Sequence, residues 1–309
     1  MAIAGRIGLS PFCMTLLVVG AANGAALSPF SPTGIISNGL IAQWAPQVGI
    51  PQEALSGIAW KIHWNSEIVQ GIVNFGGFFL TGGIAWMAKA KGGANFDIDT
   101  IAPKPEPFDW KQKYTLFTML VLVCGVIFFK LDVGMMAFVI GTTYILFNIA
   151  DDGEAVKAMP WGVIVMVCGM SVLINVMDKA GGLNALIDVI AIISNGTTIT
   201  GVVGFIAGLL SAYSSSSGVI MPMFLSMVPG LLEAVNTVDA DHAVRLASSI
   251  DIGAHLVDTS PLSTLGALCI ANAVTEDKGV LFRNLLLWGL SMSVVGGVVC
   301  YVAFGLLGL

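Results

Sequence analysis

Gly253-Ala254-His255-Leu256-Val257-Asp258-Thr259-Ser260-Pro261 repeats Gly24-Ala25-Ala26-Leu27-Ser28-Pro29-Phe30-Ser31-Pro32 at its Gly, Ala, Leu, Ser and Pro positions. Ile270-Ala271 extends the match to Ile41-Ala42. Each copy is an apolar helix interrupted by proline and small hydroxyl residues. Proline removes a backbone donor and frees a carbonyl one turn back. In a bilayer such open backbone survives only where protein buries it or where it lines a wet cavity. A matched pair of broken apolar segments is the sequence mark of a binding site between two related halves of a membrane protein.

Working outward, the whole chain is apolar. It is 56% hydrophobic and 10% charged, with a mean hydropathy of +0.89, against about 25% charged in soluble domains. Stretches of membrane-spanning length recur from end to end, so the fold class is an all-α polytopic membrane protein. The expected architecture is an inverted repeat with broken helices and a re-entrant hairpin. Basic residues are few, which argues against nucleic acid as a partner and leaves the lipid bilayer. Cys13, Cys124, Cys168, Cys269 and Cys300 lie in apolar stretches without metal-type spacing and read as buried free thiols. His63, His242 and His255 are widely separated. No G-x-S-x-G, H-E-x-x-H or P-loop is present, so no enzyme chemistry, resident metal or cofactor is expected.

The start of the chain imitates a secretory signal: Arg6, an apolar run from Phe12 to Val19, then small residues to Ala26. A cleavage there would cut at or inside the first copy of the repeat, so that reading is set aside. Little precedes the first copy, whereas several spans and a hairpin precede the second. The expectation is an incomplete first repeat, with the N-terminal part of a longer protein missing.

A span needs about 20 apolar residues. On that ruler residues 1–44 hold the first broken helix, 9–27 and 33–44. Residues 45–113 comprise an interfacial loop over 45–64, a span over 65–88 and a polar loop. Residues 114–195 hold spans at 114–130, 133–150 and 159–177 and an interfacial arm at 181–194. Residues 196–274 hold a re-entrant hairpin, 199–213 and 219–233, and the second broken helix, 243–257 and 263–274. Residues 275–309 are a final span. The 89–113 loop carries Lys89, Lys91, Lys104, Lys111 and Lys113 and is cytoplasmic by the positive-inside rule. Alternation then puts Arg6, Lys157, Lys278 and Arg283 inside and Lys61, Lys130, Lys179 and Arg245 outside. With four full spans between them, the two broken helices run in opposite directions.

The chemistry-bearing residues gather at the breaks. Ser28, Ser31, Pro32 and Thr33 mark the first; Asp258, Thr259, Ser260, Pro261, Ser263 and Thr264 mark the second. Freed carbonyls, hydroxyls and a carboxylate suit Na⁺, while the N-terminus of each second half-helix suits an anion. A kinked packing helix is the bland alternative for one copy; two copies beside a hairpin favour a site. The tip Ser214, Ser215, Ser216, Ser217 and Gly218 offers hydroxyls and mobile backbone for a carboxylate, with a polar surface turn as its rival reading. Asp251 and Asp258 are intramembrane carboxylates, costing roughly 2.5–3.5 kcal/mol each to insert, and mark a cation or proton site. Asp251 and His255 are four apart and able to pair, although His255 also reads as a satisfied interior histidine. Asn23 and Asn38 flank the first break; Asn38 reads equally as a local cap.

Three stretches carry a resemblance: Leu27 to Gly39, the hairpin Ser214-Ser215-Ser216-Ser217-Gly218-Val219-Ile220-Met221-Pro222, and His255 to Gly266. They resemble the MatC-type, malonate carrier-like permeases of the ion transporter superfamily, which also holds the divalent anion/Na⁺ symporters. The likeness covers essentially the whole chain. It implies a homodimer built on a scaffold domain, here 114–195, and a transport domain, here 1–44 and 196–274, that moves as an elevator in a bacterial inner membrane. Hairpin tips in that family typically read Ser-Asn-Thr, whereas Ser214–Gly218 lacks the Asn.

The functional expectation is a secondary transporter of small dicarboxylates, malonate- or succinate-like, coupled to Na⁺ or H⁺. Substrate would lie among Ser31, Pro32, Thr33, the 214–218 tip, Ser260, Pro261, Ser263 and Thr264. The coupling ion would be held by Asn23, Ser28, Asp251, His255, Asp258 and Thr259. A Na⁺/H⁺ antiporter of the same superfamily is the nearest alternative, and an intramembrane enzyme on Asp251, His255 and Asp258 is the more distant one.

Overall fold

Ser10 accepts the Cys13 N–H at 3.1 Å and Pro11 takes the first helical position, so the chain enters α1 (Pro11–Ala26) already capped. The computed structural model describes residues 1, 4, 7–91, 107–129, 131–275 and 277–309. After α1 follow α2 (Pro32–Trp44) and α3 (Leu55–Phe78), which passes through a π turn at Phe79–Gly83 into α4 (Ile84–Lys91). Next come α5 (Trp110–Phe129), α6 (Val133–Leu146), α7 (Asp152–Ala158), α8 (Trp161–Lys179) and α9 (Gly182–Ile192). The C-terminal part is α10 (Ile199–Ser211), a π turn at Ser216–Ile220, α11 (Met221–Ser226), α12 (Val228–Ala234), α13 (Ala240–Leu256), α14 (Thr264–Ala271) and α15 (Lys278–Cys300), continued to Leu306 by a π turn. The described residues form no strand, and the chain is an all-α polytopic membrane protein.

Gln52–Lys89, Trp110–Phe129 and Lys278–Leu306 are each long and apolar enough to cross a bilayer. Two further stretches qualify only as bent pairs: Ile164–Lys179 with Gly182–Ile192, bent by 76°, and Ser216–Ser226 with Val228–Ala234, bent by 44°. Gly181, at φ 75°, makes the sharper turn, in the left-handed region that glycine enters freely. Outward faces are apolar, with Leu80, Phe128, Phe138 and Ile192 all strongly exposed, as a lipid environment requires.

The structure differs from the sequence reading in several places. The 45–64 stretch is not loop: it turns once at Ala45–Val48 and is helical from Leu55 onward, continuous with the following span. Its interior positions Ala59 and Ile62 are buried, and that packing outweighs the interfacial look that Lys61, His63, Trp60 and Trp64 give the stretch. The 133–150 span shrinks to Val133–Leu146, because Asn148 adopts φ 51° and ends the helix. At 1.5 Å per residue such a helix covers about 21 Å of a core of about 30 Å, so two of the four spans behind the parity, 133–150 and 159–177, do not qualify alone, the latter only together with Gly182–Ile192. Cys168 is exposed rather than buried. Arg6, Lys130 and residues 92–106, the larger part of the expected cytoplasmic loop, lie outside the described residues.

Contacts divide the chain into two units. Residues Asp97–Val165 form one, in which α5 and α6 meet through Tyr114, Tyr144 and Phe147 ring contacts and a Thr118–Tyr144 hydroxyl contact of 2.5 Å. Residues Met1–Phe96 and Met166–Leu309 form the other, so the expected scaffold stretch 114–195 is split near Met166. This larger unit contains both broken helices and the hairpin.

Close helix crossings organise the larger unit. A Cβ built on Gly253 of α13 would lie 2.3 Å from the Gly204 carbonyl oxygen of α10, and one on Gly208 would lie 2.9 Å from Gly253 O. Gly201 and Gly297 play the same part between α10 and α15, at 3.0 Å and 3.1 Å. Small residues four apart let backbones approach, which drives helix association in lipid. The second hairpin arm is deeply enclosed: Met221, Phe224, Leu225, Val228 and Leu231 are fully buried with Ile41 of α2 and Ala247 and Ile250 of α13.

Candidate functional site where the broken helices meet

Both breaks are built on one plan. At the first, α1 ends at Ala26 and Ser31 caps α2; its hydroxyl donates to Ala26 O and to Ser28 O (3.1 Å) and accepts the Gly34 N–H at 3.1 Å. At the second, α13 ends at Leu256 and Ser263 caps α14. Its hydroxyl donates to Asp258 O and to Ser260 O (2.9 Å) and accepts the Gly266 N–H at 3.2 Å. Gly34 and Gly266 are required by this turn: a Cβ on either would lie 2.0 Å from the carbonyl oxygen of Ser28 or Ser260.

These equivalences correct the register of the repeat. The structure pairs Ser28-Pro29-Phe30-Ser31-Pro32-Thr33-Gly34 with Ser260-Pro261-Leu262-Ser263-Thr264-Leu265-Gly266, three residues beyond the register that the Gly-Ala-Leu matches suggest. The signal was a Ser-Pro-x-Ser-x-x-Gly pattern present in both. Ser31 and Ser263, expected to hold substrate, commit their hydroxyls to the chain's own backbone. What they supply instead is the start of a half-helix with free N–H groups. Pro32 and Thr264 are exposed, Thr33 is half-buried, and Pro261 is buried.

In the structural register Asn23 is the equivalent of His255, and the two residues touch: Asn23 Nδ2 donates to His255 O at 2.7 Å. The broken helices therefore meet near their own pseudo-symmetric centre. His255 Nδ1 lies 2.7 Å from the Asp251 carbonyl oxygen. A carbonyl only accepts, so Nδ1 carries the proton, which leaves Nε2 as the free ring position. Asp251 and His255 therefore do not pair through the carboxylate as the spacing suggests. Asp251 Oδ2 accepts from Ser37 Oγ of α2 at 2.8 Å instead. Along one face of α13 and its extension, Asp251 Oδ1, His255 Nε2 and Thr259 Oγ1 are buried and have no hydrogen-bond partner. Buried polar atoms without partners are rare in folded proteins and ask for a ligand, ion or water.

Asp258 joins the hairpin to the second break. Ser211 Oγ donates to Ser216 Oγ at 2.6 Å, and Ser216 Oγ donates to Asp258 Oδ1. Ser260 Oγ lies 3.5 Å from Ala212 O, a second link between the same parts. Ser215 caps the π turn by accepting the Gly218 N–H at 3.1 Å, and a Cβ on Gly218 would lie 2.1 Å from Met166 Cε. Ser214 and Ser217 are half-buried at the tip. The Ser28 carbonyl accepts the Ser31 hydroxyl in the first turn, and Ser28 itself is half-buried. Asn38 stands in mid-helix in α2 and caps nothing.

Sequence reading missed Ser37 and Ser211, each a lone serine in an apolar helix, and Glu67. The latter packs its carboxylate on Gly24, where a Cβ would lie 2.8 Å from Oε2. A polar cavity of about 450 Å³ opens between α2, α8, α9 and the second hairpin arm, with Gln43, Gln47, Asn175, Asp178, Asn184 and Ser226 in its wall. A larger one of about 760 Å³ lies at Ser10, Asp277 and Trp288. Neither is lined by the 214–218 tip or by Asp258.

Residues 1–249 match the CitMHS family, described as citrate transporter. The match supports the ion transporter superfamily expected from the motifs, but not its malonate carrier-like branch. No curated protein matches the chain.

Proposed function

The chain belongs to the CitMHS family of citrate transporters, and from that premise we propose that it is a secondary transporter of citrate-type anions, small polycarboxylates, driven by a cation. The observation that carries this reading is the Ser211–Ser216–Asp258 chain of hydroxyls, which ties the hairpin tip to a carboxylate in the broken helix. Substrate would lie among the 214–218 tip and the two half-helix N-termini at Ser31 and Ser263, where unpaired N–H groups favour negative charge. The cation would lie against Asp258, with Asp251 Oδ1 and Thr259 Oγ1 supplying further oxygen. In this reading the hairpin and broken helices move as a body past the rest of the molecule, as a dimer. The intramembrane-enzyme alternative has no carboxylate to orient its histidine, because the Asp251 carboxylate accepts from Ser37 and the His255 Nδ1–H points to a backbone carbonyl.

The test is thermal stabilisation of the purified, detergent-solubilised chain by citrate, malate, succinate, malonate and tartrate, each with and without Na⁺ and at two pH values. A ligand that binds only the folded state raises apparent stability, by about 2.7 kcal/mol at one hundred times its Kd. Stabilisation by one polycarboxylate that strengthens with Na⁺ or with acid supports cation-coupled transport. A response to Na⁺ or pH alone would replace it with the cation antiporter.

A further inference from the structure

Helix α3 is built inside out. Its outer face carries Trp64, Ile68, Ile72 and Phe75, all more than half exposed, while Ser66, Gln70 and Asn74 are buried on the opposite face and Glu67 is half-buried beside them. The helix they face offers little to pair with. A Cβ on Gly20 of α1 would lie 2.5 Å from the Asn74 side chain, and Gly24 lies under Glu67. Asn74 turns back on its own helix, donating to Gln70 O at 2.8 Å and to Gln70 Oε1 at 3.0 Å. His63 Nδ1, Ser66 Oγ and Gln70 Nε2 are buried without a partner, Ser66 and Gln70 at 0% and 1% exposure. Among the described residues no ion pair reaches Glu67.

The stripe has two ends. At the outer one Lys61 Nζ lies 3.8 Å from Asp241 Oδ1, both well exposed, and Glu67 is six residues further in, about 9 Å along the helix. Gly24, on which Glu67 packs, follows Asn23, whose amide holds His255 O, so the crossing adjoins the stripe at the level of Glu67, and Asn74 over Gly20 is the stripe's other end. Charged or titratable groups on α3 and the helices packed against it are Lys61, His63 and Glu67 on α3 itself and Asp241, His242, Arg245, Asp251 and His255 on α13; α1 brings only the Cys13 thiol.

We propose that this stripe is a hydrated path by which a monovalent cation reaches the crossing of the broken helices, with the Glu67 carboxylate as its binding station. The inference rests on the cation-coupled reading above for its purpose. Its physical basis is separate: polar side chains turned into a membrane protein and left without protein partners hold water or ions.

Single-cysteine variants Glu67→Cys, Gln70→Cys and Asn74→Cys, with Ile68→Cys and Ile72→Cys as outer-face controls, are made in a chain with its five native cysteines replaced by serine. Each is reconstituted in lipid vesicles and treated with cationic or anionic methanethiosulfonate. The expected result is labelling at 67 and 70, at 70, where Glu67 is intact, at least tenfold faster with the cationic reagent, and none at 68 or 72. Absence of labelling at 67 and 70, or equal rates with both reagents at 70, overturns the proposal. Should the variants fail to fold, carbodiimide modification of Glu67 in the unsubstituted chain is followed by peptide mass. Modification slowed severalfold by Na⁺ supports the station, and a Glu67 that is unreactive, or that reacts at the same rate with and without Na⁺, overturns it. Accessibility is read without any substrate, so a labelled stripe in a chain that binds no polycarboxylate overturns only the transport reading.

Discussion

Ser216 donates its hydroxyl to the carboxylate of Asp258, joining the hairpin turn to the second broken helix across forty-two residues of sequence. Ser211 completes the chain by donating to Ser216, so the Ser216 oxygen both gives and accepts. Hydrogen bonds to charged groups contribute about 1.5–3 kcal/mol, and the orphaned partner adds its own desolvation cost. Ser216→Ala therefore lowers stability by about 1.5–3 kcal/mol in thermal or denaturant unfolding. Ser217→Ala, one residue on and half-buried, stays within about 0.5 kcal/mol. Equal effects of the two substitutions would show that the link carries no energy.

The two cap glycines give a sharper test. Gly34→Ala and Gly266→Ala each drive a methyl to within 2.0 Å of backbone, a contact that only backbone movement relieves. Both variants are expected to express without a cooperative unfolding transition. Gly39→Ala is the control: it lies in the same helix α2 with nothing within 4 Å of the added Cβ. It is expected to gain about 0.5–1 kcal/mol, because alanine loses less freedom than glycine in a helix. A folded Gly34→Ala protein of ordinary stability would refute the common plan of the two breaks.

The existence of two breaks and of a hairpin was legible in the sequence because proline and serine clusters interrupt otherwise continuous apolar runs. The register was not. Gly24-Ala25 and Gly253-Ala254 match by type, yet these small residues do different jobs: Gly253 admits α10, whereas Gly24 admits the Glu67 side chain. The cap pattern, Ser31 with Gly34 and Ser263 with Gly266, is set by hydrogen-bond geometry and is the truer guide. Asp258 was legible as a buried carboxylate, but its partner Ser216 was one of four equivalent serines until the fold chose it. The inward polarity of α3 was hidden because tryptophans at 60 and 64 imitate an interface while Ser66, Gln70 and Asn74 look like scattered polar residues in a span.

Ser37 and Asp251 couple the first repeat to the second, through a bond of 2.8 Å between buried atoms. A double-mutant cycle with Ser37→Ala and Asp251→Ala isolates that pair. The expected coupling energy is about 1.5–3 kcal/mol, the range for a hydrogen bond to a charged group. Coupling within about 0.3 kcal/mol of zero, measured by unfolding, would mean that α2 and α13 are held by apolar packing alone.

Asp239 caps α13 at the end away from the break, accepting the Asp241 N–H at 3.0 Å and the His242 N–H at 2.9 Å, with the His242 ring 2.6 Å away. Partial burial pushes its carboxyl up, yet the hydrogen bonds and the nearby His242 charge outweigh that and hold it below the ordinary value. A carboxyl lowered by folding stabilises the protein above its unfolded pKa, near 3.9, and loses that contribution as pH falls through the lower folded value. The helix that carries Asp251 and leads into the second break is therefore expected to loosen at its outer end on acidification below about pH 4. Asp239→Ala removes the cap and costs about 0.5–2 kcal/mol at neutral pH. Asp239→Asn keeps an oxygen for the two N–H groups, so it is expected to cost less at pH 7 and to flatten the stability curve between pH 5 and pH 3. Parallel curves for the unsubstituted and Asn proteins across that window, read from amide exchange at the start of α13, would refute a role for the Asp239 charge.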